Sequence, residues 1–377
     1  MGGTKLRVGI IGAGEVAQVC HLPNLTLLGH LYSVSIICDI SEKNAKHCAS
    51  KFHIPVATTD PTEVFKSKEV DVVLILTSDE FHETYTVAAL EAGKHVFVEK
   101  PLSLSVPSVE RIIAAEKKAN GPRVFVGYMR RYAASFTNTF KSEVESIPRI
   151  LYARSRDFSG PNAHFVDQSG TFQVKNTDFP ADAGKVRDEK LDVLYREAFP
   201  DQEITPEKIK YCRFLGGLGS HDISLMREVL GLPESVGGVS VNAPFYSAIL
   251  NYKNASGDKG SFAVTYESGI DAVPDFDAHL AVYGEKKRVL IKYDSPYVKG
   301  LPIKVIVQEV NDAGEIQTKE IIGSYEDAYT AEFLELHECL VNGKEIKTTA
   351  EDALNDVKIY DLMYKAWNAT QQFSSSI

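Results

Sequence analysis

Gly12, Gly14, Ala17 and Asp39 have the residue types and spacing that bind a dinucleotide. The run Gly12-Ala13-Gly14-Glu15-Val16-Ala17 has the form G-x-G-x-x-A and stands between a Val/Ile run and an amphipathic stretch. Gly12 permits a tight turn, and Gly14 lets the backbone approach a pyrophosphate seated on the N-terminus of the next helix. Glu15 and Val16, at the opening of that helix, are further candidate cofactor contacts, and Ala17 allows the helix to pack closely on the strand. Asp39 closes the second apolar run, where a carboxylate can accept from the adenosine ribose hydroxyls. Its charge repels a 2′-phosphate, so the expected cofactor is NAD, with NADP disfavoured. Ser41 and Lys43 lie near enough to soften that preference. Asp39 also reads as a helix cap, a task Ser41 can perform instead.

Beside a nicotinamide, hydride transfer from an alcohol needs a base for the hydroxyl proton and a positive neighbour for the developing alkoxide. Lys100, just after the apolar run His95–Val98, is the candidate for the positive charge. Glu99 is placed to pair with it or orient it, and Pro101 to fix the turn. His221 is the candidate base, since an ordinary imidazole pKa of about 6.5 suits proton exchange near neutral pH. It follows Gly216-Gly217-Leu218-Gly219-Ser220, which reads as a flexible loop, and it opens a helix whose N-terminus favours the neutral ring. Ser220 reads as the cap of that helix, and Tyr128 or Lys100 itself is the next candidate base. Lys100 and His221 are expected to act on the same substrate hydroxyl.

Tyr128, Asn162, Asp222 and Asp271 are candidate substrate contacts. Asn162, in Gly160-Pro161-Asn162, equally reads as a turn residue. Asp271, in Ser268-Gly269-Ile270-Asp271, equally reads as part of a hairpin turn. Asp222 is the carboxylate nearest to His221 in sequence, although a neighbouring helical position points elsewhere. His164, Asp167 and Gln168 line a pocket or are merely solvated. His30, His47, His53 and His337 have no spaced carboxylate or Cys partner and read as structural. No H-E-x-x-H or facial-triad spacing occurs, so no metal is expected.

The elements that must hold these residues are legible as periodicity. Arg7–Ile11, Val34–Cys38, Val70–Leu76, His95–Val98 and Arg123–Gly127 read as strands, several apolar throughout, as strands covered on both faces should be. Val16–Leu28, Glu42–Phe52, Thr62–Lys66, Phe81–Ala92 and Val106–Ala119 read as the intervening helices. This alternation predicts a doubly wound parallel sheet in a domain spanning 1–127. From 128 to 377 the pattern predicts a second α/β domain with an open, mostly antiparallel sheet. Its strands are Arg149–Asp157, Val236–Val241, Phe245–Tyr252, Gly260–Tyr266, Ala278–Gly284, Arg288–Tyr293 and Ile303–Glu309. Gly160–Lys210 reads as polar, charged and helical or irregular, with Thr205-Pro206 as a helix start. Ser220–Leu230, Ala328–Val341 and Ala350–Ala369 read as helices, the last two free to pack back on the first domain. Ser374–Ser376 read as frayed.

Composition bounds the function. The 377 residues are 44% hydrophobic and 24% charged, ordinary for a globular protein. The net charge of −10 argues against a nucleic-acid surface, which needs clustered Lys and Arg. The apolar runs are too short to span a bilayer, so no membrane partner is expected. The opening MGGTKLRVGIIG does not read as a signal peptide, and Leu6 breaks the myristoylation pattern. Five cysteines without CxxC spacing argue against a disulfide framework or a zinc site and fit a reducing, cytoplasmic setting.

Further motifs fall in a recognisable order. Glu99-Lys100-Pro101 follows the fourth strand; Thr77-Ser78-Asp79-Glu80-Phe81-His82 matches a T-P-x-x-x-H loop with Ser78 in place of Pro. Val126-Gly127-Tyr128-Met129-Arg130-Arg131-Tyr132 matches a G-F-x-R-R-F/Y turn, Gly216–His221 a segment carrying a catalytic His, and Ala328–Gly343 a late helix. This set resembles the glucose–fructose oxidoreductase / inositol dehydrogenase (Gfo/Idh/MocA) family from about residue 5 to 370, and inositol dehydrogenase most closely. The resemblance implies a Rossmann domain followed by an α/β domain on an open sheet. It further implies NAD(P)-dependent oxidation or reduction of sugars, inositols or related polyols, and a homodimer or homotetramer formed through that sheet. It adds Thr77, Ser78, His82, Glu99, Lys100 and Arg130 to the candidate cofactor contacts. Two positions depart from the family pattern: Gly217 and Ser224 stand where Asp is common, and Gly160–Lys210 is longer than usual. A second reading, a non-catalytic dinucleotide-sensing regulator of the same fold, draws on Gly217; the presence of both Lys100 and His221 opposes it.

Overall fold

The structure is a computed structural model describing residues 4–255 and 259–374. They fold as two compact units. One holds the chain up to Tyr128 together with Ser169–Cys212 and Glu332–Val357. The other holds Met129–Gln168, Arg213–Ala331 and the residues from Lys358 on. A single boundary after residue 127 therefore captures only the first crossing, since the chain returns twice to the first unit. Ser375 and Ser376, expected to fray, lie outside the described residues.

The first unit is built on a parallel sheet of β1 (Leu6–Ile11), β2 (Tyr32–Cys38), β3 (Val56–Thr58), β4 (Val72–Ile75), β5 (His95–Glu99) and β6 (Val124–Gly127), in the order β3-β2-β1-β4-β5-β6. The strands are Val/Ile/Phe-rich because both faces are covered: Val72, Val73, Leu74 and Ile75 are fully buried. β3 escaped the sequence reading because it is a three-residue edge strand of exposed and half-buried residues. The strand order reverses between β1 and β4, so their carboxyl ends border the crevice where such sheets bind ligands.

The long segment after residue 168 joins this unit. Residues 171–180 have no regular structure. They lead into the helix Ala183–Ala198 and then the helix Pro206–Phe214, whose Thr205 Oγ1 accepts from the Lys208 N–H as an N-cap.

The second unit carries β7 (Tyr152–Ser159), β8 (Ser235–Asn242), β9 (Phe245–Lys253), β10 (Ser261–Ile270), β11 (Phe276–Tyr283), β12 (Lys287–Tyr293), β13 (Lys304–Val310) and β14 (Ile316–Ile322). Their order is β14-β13-β12-β11-β7-β10-β9-β8; β7 and β10 run parallel, and every other pair is antiparallel. β14 was not expected, because an exposed edge strand reading IQTKEII has no apolar run to announce it. Ala153, Ser155, Asp157 and Ser159 of β7 point into the unit. The opposite face bears an ion-pair ladder in which Arg154 and Arg156 meet Glu267, and Arg156 also meets Asp277.

The expected flexible loop Gly216–Ser220 is instead helical. Leu215–Gly219 forms a π-helical turn that joins the preceding helix to Ser220–Leu230 without a break. Here glycine serves close packing: a Cβ on Gly219 would lie 2.8 Å from the Tyr266 hydroxyl. The five cysteines are buried, and burial pushes the Cys38 and Cys48 thiols up to about 12. Among the described residues no helix is long and apolar enough to cross a membrane, and no His/Cys/Asp/Glu group could hold a metal ion.

Candidate active site

A cavity of about 380 Å³ opens at the carboxyl ends of β1, β2 and β4. Gly12 and Gly14 line it from the first turn, Asp39 from the end of β2, and Thr77 and Ser78 from the end of β4. Gly12 has φ of +105°, and its N–H donates to the Cys38 carbonyl at 2.8 Å. A Cβ there would lie 2.6 Å from the Leu76 carbonyl oxygen, so the turn accepts only glycine. Nothing approaches within 4 Å of where a Gly14 Cβ would stand, which leaves the backbone open to a ligand. The helix beyond opens at Glu15 and passes through a π-helical turn over Ala17–His21.

Asp39 Oδ2 accepts from the Ala13 N–H at 2.7 Å and Oδ1 from the Ser41 N–H at 2.8 Å. The carboxylate thus ties the glycine turn to the end of β2 while facing the cavity. Burial raises its pKa, and these two N–H bonds oppose the rise. Ser41 caps the helix Glu42–Phe52, as the sequence allowed. Thr77 Oγ1 is buried with no hydrogen-bond partner among the described residues. An open glycine turn, a ribose-range carboxylate and an unmatched hydroxyl together fit a dinucleotide. Glu15 and Val16 open the first helix as expected, and the Glu15 side chain is occupied by Lys175 at 2.8 Å and Gln173 at 3.1 Å.

Several neighbouring candidates serve the scaffold instead. His82 is buried, with Nδ1 2.7 Å from the Pro101 carbonyl and Nε2 3.0 Å from the Thr77 carbonyl. It therefore stitches two loops together and has no ring nitrogen left for a cofactor. Glu99 was expected at Lys100 or the cofactor. Its Oε1 instead meets His21 Nε2 at 2.7 Å inside the core, and its Oε2 accepts the Lys100 backbone N–H at 3.1 Å. Burial opposes ionisation of Glu99, but the His21 bond prevails and holds its carboxyl below the usual range. Glu99 thus fixes the backbone of the Lys100 turn, and the Lys100–Pro101 peptide is cis. Beside it lies Glu332, fully buried with neither oxygen bonded among the described residues; burial and the charge of Glu99 push its pKa well up. Tyr128, a substrate candidate, is buried and donates its hydroxyl to Asp356.

In the second unit the corrections are larger. Arg130 was expected at the cofactor. It is buried, with Nη1 on Asp222 and Nη2 on Asp157, both at 2.8 Å, and its guanidinium faces the rings of Tyr293 and Phe276. Asp222 was expected to help His221 or touch substrate. Its Oδ1 is bound to Arg130, and burial with the neighbouring charge of Asp157 pushes its pKa well up. A guanidinium shared by two buried carboxylates binds β7 to the helix Ser220–Leu230 and turns Asp222 away from solvent. His221, half-buried, is the second residue of that helix. Because the backbone is already helical before it, His221 does not stand at an open helix N-terminus, and the dipole argument for a neutral ring fails. Ser220 does not cap either; its Oγ donates to the Gly217 carbonyl at 3.2 Å. Asn162 is exposed at the start of the helix Asn162–Asp167, and Asp271 Oδ1 accepts from Val273 N at 2.8 Å within its own turn. The turn reading describes the local geometry at Asp271, whereas Asn162 opens a helix instead.

Residues 6–128 match the oxidoreductase family with an NAD-binding Rossmann fold, and residues 206–373 match the C-terminal α/β domain of the same family. The chain belongs to the Gfo/Idh/MocA family. Among its relatives is the myo-inositol 2-dehydrogenase of Thermotoga maritima, 25% identical over 354 residues that cover 92% of both chains. The inositol 2-dehydrogenase of Salmonella typhimurium is 37% identical over 172 residues, 45% of this chain and 50% of that one. Two solved structures share the fold. Levoglucosan dehydrogenase in complex with NADH and levoglucosan has a TM-score of 0.71 at 16% identity, covering 96% of this chain and 97% of that one. A 3-ketoreductase from Actinomadura kijaniata in complex with NADP has a TM-score of 0.69 at 16% identity, covering 97% and 98%. This Gfo/Idh/MocA protein is an oxidoreductase with an NAD(P)-binding Rossmann domain.

Part of the cavity lining carries no motif that the sequence made readable. Phe81 and Tyr85 line the cavity and stack with centroids 5.8 Å apart; aromatics four apart on a helix were the available signal. Pro180, Asp182, Ala183 and Val186 form another wall. They lie some 140 residues beyond Asp39, and nothing local marks them.

Proposed function

We propose that this chain is an NAD-preferring dehydrogenase or reductase that moves a hydride between the nicotinamide and a secondary hydroxyl or ketone of a sugar, inositol or related polyol. The observation that carries the cofactor half is the Asp39 carboxylate, fixed by two backbone N–H groups at the edge of the glycine-lined cavity. The substrate class rests on one relative along nearly the whole chain, named myo-inositol 2-dehydrogenase, and on inositol 2-dehydrogenases similar over less than half of it. Bound nicotinamide supplies the hydride acceptor or donor. Lys100, at the carboxyl end of β5, holds the substrate oxygen and stabilises the alkoxide with its ammonium. His221 takes the hydroxyl proton as general base. Glu99 acts through the backbone of the Lys100 turn as a positioning residue. A homodimer or homotetramer through the β7–β14 sheet and a cytoplasmic setting complete the reading.

The test is a turnover screen against inositols, aldoses and their lactones, with NAD and NADP in parallel, following absorbance of the reduced cofactor. Turnover of at least one polyol with NAD favoured is expected. Tight NADH binding with no turnover of any member would replace this reading with a dinucleotide sensor.

A further inference from the structure

The segment 169–182, which carries none of the family motifs, lies along the first unit and reaches the loop after β2. We propose that Asp178 is a cofactor-specificity residue: its carboxylate occupies the place a 2′-phosphate would need, so NADP is excluded by occupancy as well as by the charge of Asp39. The inference rests on reading the cavity as the adenosine end of an NAD site.

A phosphate on the ribose 2′-oxygen would stand beside Asp39 and seek donors on the loop that follows. Those donors are the Ser41 hydroxyl, the Lys43 backbone N–H and the Lys43 ammonium, at the first turn of the helix Glu42–Phe52. Asp178 already uses the first two: Oδ1 accepts from Ser41 Oγ and Oδ2 from the Lys43 N–H at 3.1 Å. Ser41 is fully buried, and its Oγ also accepts from the Asn44 N–H at 3.0 Å, so its hydroxyl proton has one destination. Ser41 and Lys43 were expected to soften the preference for NAD; the structure gives the Ser41 hydroxyl and the Lys43 backbone N–H to an internal anion and leaves only the Lys43 ammonium. The bond from Ser41, followed by that from Lys43, keeps the Asp178 carboxyl below the usual range, hence charged at neutral pH.

Asp178 is held in place from both sides. The Val174 N–H donates to Gln18 Oε1 at 2.8 Å, and Gln18 Nε2 donates to the Val174 carbonyl at 2.9 Å. Asn176 donates twice to Asn44 Oδ1, at 2.9 and 3.1 Å. Beyond it, Pro180, Asp182, Ala183 and Val186 wall the cavity. A 2′-hydroxyl leaves this arrangement intact. A 2′-phosphate has to displace one carboxylate and sit beside another, and like charges brought into contact repel.

The experiment measures affinities of the full chain for NADH, NADPH and the fragment 2′,5′-ADP, in wild type and in the variants Asp178→Ala, Asp178→Asn and Asp39→Ala, with thermal melts on the same samples. Wild type should bind NADH over NADPH. Asp178→Ala should raise the NADPH-to-NADH affinity ratio about 10–100-fold and bring 2′,5′-ADP into measurable binding. Asp178→Asn, which keeps the shape and removes the charge, should move the ratio the same way by less. NADH and NADPH affinities moving together in both variants would make the segment merely structural and overturn the inference. So would an unchanged ratio in the Asp178 variants while Asp39→Ala relaxes it, an outcome that leaves the cofactor reading standing. Wild type that binds neither dinucleotide, or prefers NADPH, overturns both.

Discussion

Two glycine-rich segments, Gly12–Gly14 and Gly216–Gly219, use the same residue to opposite ends. The first follows a strand. Gly12 takes φ of +105°, the chain turns sharply, and the backbone beside Gly14 is left open at the start of a helix. The second follows a helix. Its glycines stay helical, the turn merely widens to a π-turn, and the gain is close approach of the backbone to Tyr266. Glycine permits both outcomes, and the preceding element selects between them. The difference carries through to the carboxylates each segment meets. Asp39 is bonded to backbone N–H groups and faces a cavity; Asp222 is bonded to Arg130 and faces the core.

The contrast is open to direct attack. Gly12→Ala should have the largest effect, because left-handed strain of about 1–2 kcal/mol adds to a collision with the Leu76 backbone. NADH binding should become undetectable by calorimetry, and retained affinity would show that the turn tolerates a Cβ. His221→Ala should lower turnover by about 10²–10⁴-fold, the range of general acid–base catalysis, with NADH affinity nearly unchanged. Near-normal kcat across about pH 6–9 would move the base elsewhere; Lys100 would then stand ahead of Tyr128, whose hydroxyl is already given to Asp356.

Arg130→Ala should cost about 3–5 kcal/mol in urea unfolding, because it strands two buried carboxylates, and should leave NADH affinity alone. A selective loss of NADH binding without loss of stability would restore Arg130 to the cofactor site. Asp222 gives a pH test. Its pKa is raised in the folded chain, so folding takes up a proton, and its contribution to stability is lost as pH climbs from the ordinary carboxylate range through the raised value. Asp222→Asn should flatten that fall in the urea midpoint as pH rises above the ordinary carboxylate range; an unchanged slope would assign it to other groups. Gly217→Ala should have the smallest effect. Its backbone is helical and nothing lies within 4 Å of the new methyl, so a gain of about 0.4–1 kcal/mol is expected. A clear loss would mean that the segment must open in the working protein, as a loop would.

The first unit was the more legible because its signals are local. A Val/Ile strand, a glycine fingerprint and an acid at the end of the next strand lie within Arg7–Asp39, and each has a physical reason for its position. The helix boundaries at Glu42–Phe52 and Val106–Ala119 were equally readable, set by Ser41 and Ser105 as caps. The roles of His82, Glu99, Arg130 and Asp222 were not. Each is a polar residue in a functional-looking motif that has a partner 19 to 92 residues away, and burial decided what it bonds.

By itself, then, the sequence determined the alternation of strands and helices, the glycine turn, the acid at its edge and the placing of Lys100 at a strand end, because period and turn chemistry act over a few residues. Only the tertiary structure decided that the segment 169–212 returns to wall the cavity, that Asp178 takes the donors of Ser41 and Lys43, and that the glycines before His221 stay helical. Those outcomes depend on which buried polar groups find each other. An unpaired buried donor or charge costs more than most local preferences can supply, so the fold satisfies it with whatever partner the packing brings near.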